Sequence, residues 1–112
     1  FRCLDLSRDP LPSTDVVMVR QVLQHLANPE IAAFVRAIEG KCRYLVVTEH
    51  WPAASNFPPN LDKPNGADIR LTIGSGVVLT AAPFNLRARL SERLCAVPET
   101  GGLIVTTAYH MA

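Results

Sequence analysis

Three neighbouring side chains, Glu49, His50 and Trp51, bring together a carboxylate, an imidazole and an indole. They directly follow the apolar run Tyr44–Thr48, which is typical of a strand buried on both faces. Ligands of open α/β sheets bind outside the carboxyl ends of the strands, so this set is placed to face a substrate. We predict substrate contacts for His50 and Trp51 and a catalytic role for Glu49. Alternatively, strand alternation turns one of the three inward and leaves the others on a loop surface.

A second candidate group, Arg20, Gln21 and His25, follows the apolar run Val16–Val19. Arg20 and Gln21 stand at the carboxyl end of this first strand, where a ligand would approach. An imidazole titrates near neutral pH, so His25 is a candidate general base or substrate contact. The alternatives are a structural hydrogen-bonding histidine on a short helix and a solvated surface arginine.

The remaining motifs argue against a dinucleotide loop, a serine hydrolase and a metal site. Gly74-Ser75-Gly76 lacks the third glycine of a dinucleotide loop, because Leu79 occupies that position, and Pro83 leaves no room for the following helix. It also lacks the Gly-x-Ser-x-Gly pattern of hydrolases. The three histidines and three cysteines show no ligand spacing, so we predict no metal. The odd number and wide separation of the cysteines argue against a disulfide framework and favour the cytoplasm.

Length and composition limit the chain to one small packed domain. It has 112 residues, of which 48% are hydrophobic and 19% charged, and its formal net charge is +1. No basic stripe with interleaved aromatic residues occurs, so we predict no nucleic-acid partner. No apolar run approaches the ~18 residues of a membrane span, and no signal-peptide pattern opens the chain, so we predict no membrane partner.

A β-α-β unit is the most legible part of the chain and would position both candidate groups. The strand at Val16–Val19 precedes a short helical turn at Val22–Leu26. Asn28-Pro29-Glu30 then predicts a helix start with Asn28 as the N-cap. Apolar residues at helical spacing follow, and Gly40 ends the helix before the strand Tyr44–Thr48. Two strands joined in this way pair in parallel.

The second half of the chain is less regular. The segment 51–68 is rich in proline and asparagine and predicts a long loop over the site. Short strands are predicted at Ile69–Ile73 and Val77–Thr80, and a short helix at Asn85–Arg93. Leu94–Val97 and Leu103–Thr107 flank a glycine-containing turn and predict a terminal antiparallel hairpin. The predicted fold class is therefore α/β, with parallel strands followed by this hairpin.

Several motifs together resemble the middle of class I S-adenosylmethionine-dependent methyltransferases. They are Asp5-Leu6-Ser7, Leu11-Pro12, Asp15-Val16-Val17, Arg20-Gln21-Val22-Leu23-Gln24-His25-Leu26 and Tyr44-Leu45-Val46-Val47-Thr48. The Asp-Val-Val strand followed by the Val-Leu-Gln-His-Leu helix is the most specific part. A looser resemblance continues through Arg70 and Ala82-Pro83-Phe84-Asn85-Leu86.

The resemblance implies a Rossmann-like methyltransferase sheet, S-adenosylmethionine as cofactor and a small-molecule methyl acceptor. It places Asp5 beside the adenine amino group, because a carboxylate accepts a hydrogen bond from an exocyclic amine. Leu6, Arg20 and Gln21 would also border the cofactor. Asn60 and Arg70 would complete the substrate pocket that His50 and Trp51 begin.

The family's first strand and glycine-rich cofactor loop have no counterpart in this sequence. We therefore expect residues 1–112 to be a single partial domain, the substrate-side half, which is inactive alone and binds the cofactor weakly or not at all. An open sheet edge would favour a homo-oligomer. The alternative function is a non-enzymatic α/β interaction module that self-associates through this edge.

Overall fold

The computed structural model describes residues 2–112, which form one four-stranded mixed sheet with one α-helix. Two 3₁₀ helices lie in the connections, at Leu23–His25 and Arg70–Ile73. The strands and the α-helix are β1 (Val16–Arg20), α1 (Asn28–Ile38), β2 (Tyr44–Pro52), β3 (Ala88–Glu99) and β4 (Gly102–Met111). No described helix is long and apolar enough to cross a membrane.

The strand order is β1-β2-β4-β3, with β1 and β2 parallel and β4 antiparallel to both of its neighbours. This confirms the predicted α/β class, with a parallel pair followed by an antiparallel hairpin. The last strand enters the sheet between β2 and β3, so β3 forms the edge and runs in the same direction as β1. Thr48 lies opposite both Arg20 and Thr106, so β2 continues four residues, to Pro52, beyond the end of β1.

The helix α1 covers one face of the sheet. Its start differs from the prediction, because Ala27 is the N-cap and Asn28 is the first helical residue. The Asn28 side chain is engaged elsewhere: its Nδ2 donates to the Asn60 carbonyl, and its Oδ1 accepts from Arg70. The buried side of α1 packs in one core with β2 through Ile31, Phe34, Val35, Ile38, Leu45 and Val47.

The short strands predicted at Ile69–Ile73 and Val77–Thr80 are wrong. The first segment forms a 3₁₀ helix over Arg70–Ile73, and the second forms no strand. Long side chains take the backbone groups that a strand would pair, since Trp51 Nε1 donates to the Val77 carbonyl and Asn60 Oδ1 accepts from the Val78 N–H. Tertiary contacts therefore override the local β propensity.

The helix predicted at Asn85–Arg93 is also wrong, because β3 begins at Ala88 and continues to Glu99. The charged and leucine residues of this segment favour a helix locally, but pairing along β4 satisfies the backbone instead. β2 is longer than predicted as well. It continues through Glu49, His50 and Trp51, which therefore belong to the strand and not to the loop that follows it.

The second face of the sheet exposes several large apolar side chains and also carries the Glu92–His110 ion pair. The register places Val16 and Met18 of β1 on the same face as Leu90 and Val97 of β3, and these four are 46%, 77%, 51% and 56% exposed. Among the described residues β1 pairs with β2 alone, so its outer edge is open too. Parallel strands normally have both faces covered, and large exposed apolar patches mark association surfaces.

We expect the chain to self-associate through this face and edge. Sedimentation at micromolar concentration should show a species larger than a monomer. Met18→Lys should shift the distribution toward the monomer, because a charge at the centre of an apolar interface is left desolvated. Leu61→Lys changes an exposed leucine outside the sheet and serves as the control. A wild-type chain that stays monomeric over the whole concentration range contradicts the prediction.

Candidate functional site

The candidate site lies where β1 and β2 end and the connection between β2 and β3 returns over them. The first 3₁₀ helix, Leu23–His25, follows β1 at this end of the sheet. Residues 60–70 of the long connection are hydrogen-bonded to the segment 23–28. This is the position where open α/β sheets bind ligands.

His25 is held between the two segments by its backbone and its ring. The Gly66 N–H donates to the His25 carbonyl at 3.0 Å, and His25 Nδ1 lies 3.2 Å from the Gly66 carbonyl oxygen. Lys63 Nζ also donates to the His25 carbonyl, and the neighbouring Ala27 N–H donates to Asn65 Oδ1. Because a carbonyl only accepts, Nδ1 carries the proton in this contact, and the neutral ring then presents Nε2 as a proton acceptor.

Arg70 is the most enclosed polar group of the site, with 1% of its surface exposed. Its guanidinium donates to the carbonyls of Leu61, Leu23 and Leu26 and to Asn28 Oδ1. The arginine therefore joins the long connection to the first 3₁₀ helix and the start of α1. These bonds give Arg70 a positioning role, and the substrate contact predicted for it stays a prediction.

The polar side-chain atoms of Asn60 and Trp51 also bond to backbone groups. Asn60, with a φ of 60°, donates from Nδ2 to the carbonyls of Val78 and Ala82 and accepts the Val78 N–H. Trp51 donates from Nε1 to the Val77 carbonyl at 2.8 Å. Both side chains fasten the long connection to itself and to β2, and their predicted substrate contacts are untested.

Glu49 and His50 point to opposite faces of β2, and both are buried. Neither carboxylate oxygen of Glu49 has a hydrogen-bond partner among the described residues, and the same holds for His50 Nε2. Burial raises the pKa of Glu49 to about 8, although the Arg70 charge and the Gln24 backbone N–H lower it. Its 2% exposure places this carboxyl beneath the site surface. The catalytic role of Glu49 and the substrate contact of His50 stay predictions.

Gln24 and Tyr109 are buried polar residues near Glu49 that sequence reasoning missed. Gln24 Oε1 accepts the backbone N–H of His50, which continues the β1–β2 pairing beyond the end of β1. Burial raises the pKa of Tyr109 to about 12, with a further contribution from the Glu49 carboxylate and an opposing one from the Leu79 backbone. Gln24 lies inside the most specific resemblance motif, whereas nothing in the local pattern marks Tyr109.

The predicted cofactor residues lie in two places around β1. Asp5 is exposed, and its Oδ1 accepts bonds from the N–H and hydroxyl of Ser7, which lower its pKa. Within residues 2–112 its Oδ2 accepts no hydrogen bond and forms an ion pair with Arg8, whose Nε lies 4.0 Å away. Leu6 packs against the core before β1, whereas Arg20 and Gln21 follow at its carboxyl end, with Gln21 at a φ of 52°. The cofactor roles of these four residues are untested.

A half-open cavity of about 300 Å³ adjoins His25. Its lining comes from the end of the long connection and the second 3₁₀ helix, and consists of Asp62, Lys63, Pro64, Asn65, Gly66, Asp68, Ile69, Thr72 and Ile73. Within residues 2–112, no three His, Cys, Asp or Glu side chains group in a way that could hold a metal ion. Cys3, Cys42 and Cys95 are free thiols.

No protein-family model matches this sequence, and no curated protein matches it significantly. The fold does match solved structures. The N-terminal domain of EvdMO1 with SAH bound matches 99% of this chain with a TM-score of 0.59 and 14% identity. The same domain in the presence of SAH and D-fucose matches 97% with a TM-score of 0.55 and 14% identity. The chain spans about half of these neighbours, 53% and 51% of their length. The chain thus shares the fold of a domain that was solved with SAH bound.

Proposed function

We propose that this chain is the substrate-side half of an S-adenosylmethionine-dependent methyltransferase that acts on a small molecule. The observation that carries the proposal is the match of nearly the whole chain to a domain solved with SAH, the demethylated product of that cofactor. The sequence motifs around Asp5, Arg20 and His25 support the same family independently. The D-fucose present with the second neighbour supports a small acceptor.

Two groups of residues would serve the reaction. Asp5 Oδ2, which Arg8 approaches only to 4.0 Å, would accept a bond from the adenine amino group, and the exposed Arg20 lies at the carboxyl end of β1, where a ligand approaches. When bound, S-adenosylmethionine supplies an electrophilic methyl group. His25 Nε2 would take the proton that an acceptor hydroxyl or amine loses when the methyl group leaves the cofactor sulfur for the acceptor and SAH remains. The Gly66 carbonyl holds the ring in the required tautomer.

We expect this chain alone to bind SAH more weakly than low micromolar. One hydrogen bond to Asp5 contributes about 0.5–1.5 kcal/mol, whereas micromolar binding needs about 8 kcal/mol. Titration calorimetry measures the affinity, and NMR maps the site. Shifts at Asp5, Leu6, Arg20 and Gln21 are expected. Asp5→Ala should reduce them, and Asp15→Ala, which removes another exposed aspartate, should not.

The two measurements test different claims. SAH shifts that map elsewhere, or an Asp5→Ala variant that responds like the wild type, contradict the proposed cofactor site. A dissociation constant in the low micromolar range contradicts only the expected weakness, and shows that one chain or a dimer supplies a full site.

A second candidate function is a non-enzymatic module that self-associates. The open outer edge of β1 and the 77% exposure of Met18 favour it. Self-association without any SAH response would select this candidate.

A further inference from the structure

The residues that line the cavity next to Gly66 limit which methyl acceptors could bind there. Gly66 forms part of its wall and exchanges two hydrogen bonds with His25, one from its N–H and one to its carbonyl oxygen. A molecule in this cavity therefore contacts Gly66, the residue that holds the His25 ring and backbone. Its volume of about 300 Å³ is at the small end of ligand pockets and suits a single ring.

One part of the lining is apolar. Pro64, Ile69 and Ile73 contribute aliphatic surface, and Ile73 is 48% exposed although it is a large hydrophobic residue. Such a surface packs against the C–H face of a ring, while the polar part of the wall determines which substituents the ring can carry.

The polar part of the cavity wall offers more hydrogen-bond acceptors than hydrogen-bond donors. Both hydrogen bonds to Asp62 use Oδ1, from the N–H groups of Asn28 and Lys63, so Oδ2 is free. Asp68 accepts no hydrogen bond within residues 2–112. The Asn65 side chain uses its Oδ1 on the Ala27 N–H and keeps its Nδ2 as a free donor.

The only cation of the lining is already engaged. Lys63 Nζ donates to the carbonyls of His25 and Pro64, which holds it against the backbone. The two carboxylates and this ammonium leave the cavity with one net negative charge. The charge of the nearby Arg70 acts on Asp62, but its guanidinium donates to Leu61, Leu23, Leu26 and Asn28, so an anionic ligand would face Asp62 and Asp68 without a free cationic donor.

We propose that this cavity binds the methyl acceptor and that the acceptor is a small hydroxyl-rich ring without negative charge, of the saccharide or amino-saccharide class. The hydroxyls of this ring donate to carboxylate oxygens of Asp62 and Asp68 and accept from Asn65 Nδ2. One face of the ring packs against Ile69 and Ile73. The binding site rests on the cavity alone, whereas its role as acceptor site rests on the proposed function.

The test is an NMR titration of the 112-residue chain with D-glucose, D-glucosamine and D-glucose 6-phosphate. Glucose and glucosamine should shift the Gly66 amide, the Asn65 side-chain amide and the methyl groups of Ile69 and Ile73. The phosphate should bind at least about fivefold more weakly than glucose, because one uncompensated charge contact near the surface is worth about 1 kcal/mol. Asp68→Asn should weaken the binding of glucosamine by a similar factor. Asp15→Asn, at the other end of β1, is the matched control.

Three results would overturn the inference. They are equal or tighter binding of the phosphate at the same resonances, shifts confined to residues outside the cavity, and an Asp68→Asn variant that binds glucosamine like the wild type. SAH is titrated separately and read at Asp5, Leu6, Arg20 and Gln21. An SAH response without a saccharide response refutes the cavity assignment and leaves the proposed function in place. A saccharide response without an SAH response, even at millimolar SAH, leaves the saccharide site in place and refutes its role as acceptor site in this chain.

Discussion

Replacing Arg70 with methionine is expected to lower the free energy of unfolding by about 3–5 kcal/mol, the range for breaking a buried charged network. The guanidinium is 1% exposed and donates to three carbonyls and one side-chain amide oxygen. Methionine fills much of the same volume but donates no hydrogen bond. The Leu23 carbonyl would keep the Leu26 N–H as a donor, whereas the part-buried Leu61 and Leu26 carbonyls and Asn28 Oδ1 would lose Arg70, at about 1–3 kcal/mol each before relaxation. Relaxation of the connection toward solvent keeps the total below their sum.

Denaturant unfolding measures the effect, and two further variants isolate its cause. Arg70→Lys keeps the charge but cannot reach four acceptors that a planar fork spans, so it should lose most of the same stability. Arg36→Met removes an exposed arginine from α1 and should change stability by less than about 1 kcal/mol. If Arg70→Met does not fold, Arg70→Lys provides the measurement. An Arg70→Lys variant as stable as the wild type would show that the charge alone matters and that the bond network does not.

The elements that sequence reasoning placed correctly are those whose signal is local. Val16–Val19 and Tyr44–Thr48 are short apolar runs, and the spacing of Ile31, Phe34, Val35 and Ile38 fixes both a helix and its buried side. Such patterns need no knowledge of distant residues, and the β-α-β unit follows from them.

The misplaced elements depend on partners far away in the sequence. Val77 and Val78 form no strand because Trp51 and Asn60 bind their backbone groups from 26 and 18 residues away. The segment that begins at Ala88 becomes a strand because β4 lies beside it. Neither partner is visible in a local window, so propensity alone favours a different structure.

The candidate site shows the same division. The β-α-β order was enough to place Arg20, Gln21 and Glu49 toward the carboxyl ends of their strands. The use of each polar side chain was not predictable, since Arg70 reaches carbonyls up to 47 residues away. The residue type suggested a substrate contact for Arg70, whereas in the structure its guanidinium donates mainly to backbone carbonyls.

Glu49 should make the chain less stable as the pH rises from about 5 to 8. Burial raises its pKa in the folded state to about 8 from 4.5, and the opposing effects of the Arg70 charge and the Gln24 backbone are smaller. Below pH 4.5 the Glu49 carboxyl is protonated in both the folded and the unfolded state, so its ionisation does not change stability. Between the two values it ionises only when the chain unfolds, so ionisation favours the unfolded state by about 1.4 kcal/mol per pH unit. Above pH 8 the loss is complete, at a total on the order of 5 kcal/mol.

Glu49→Gln removes this titration while keeping the shape of the side chain. The variant should match the wild type near pH 5 and exceed its stability at pH 9, and the difference between the two chains cancels every other titrating group. Glu99→Gln is the control, since Glu99 is exposed and its pKa is lowered by Thr100, so it stays ionised over this range. Urea unfolding at pH 5, 7 and 9 gives the three curves. Parallel curves for the wild type and Glu49→Gln would mean that Glu49 ionises in the folded chain at its ordinary pKa, and that a donor or solvent reaches the carboxyl.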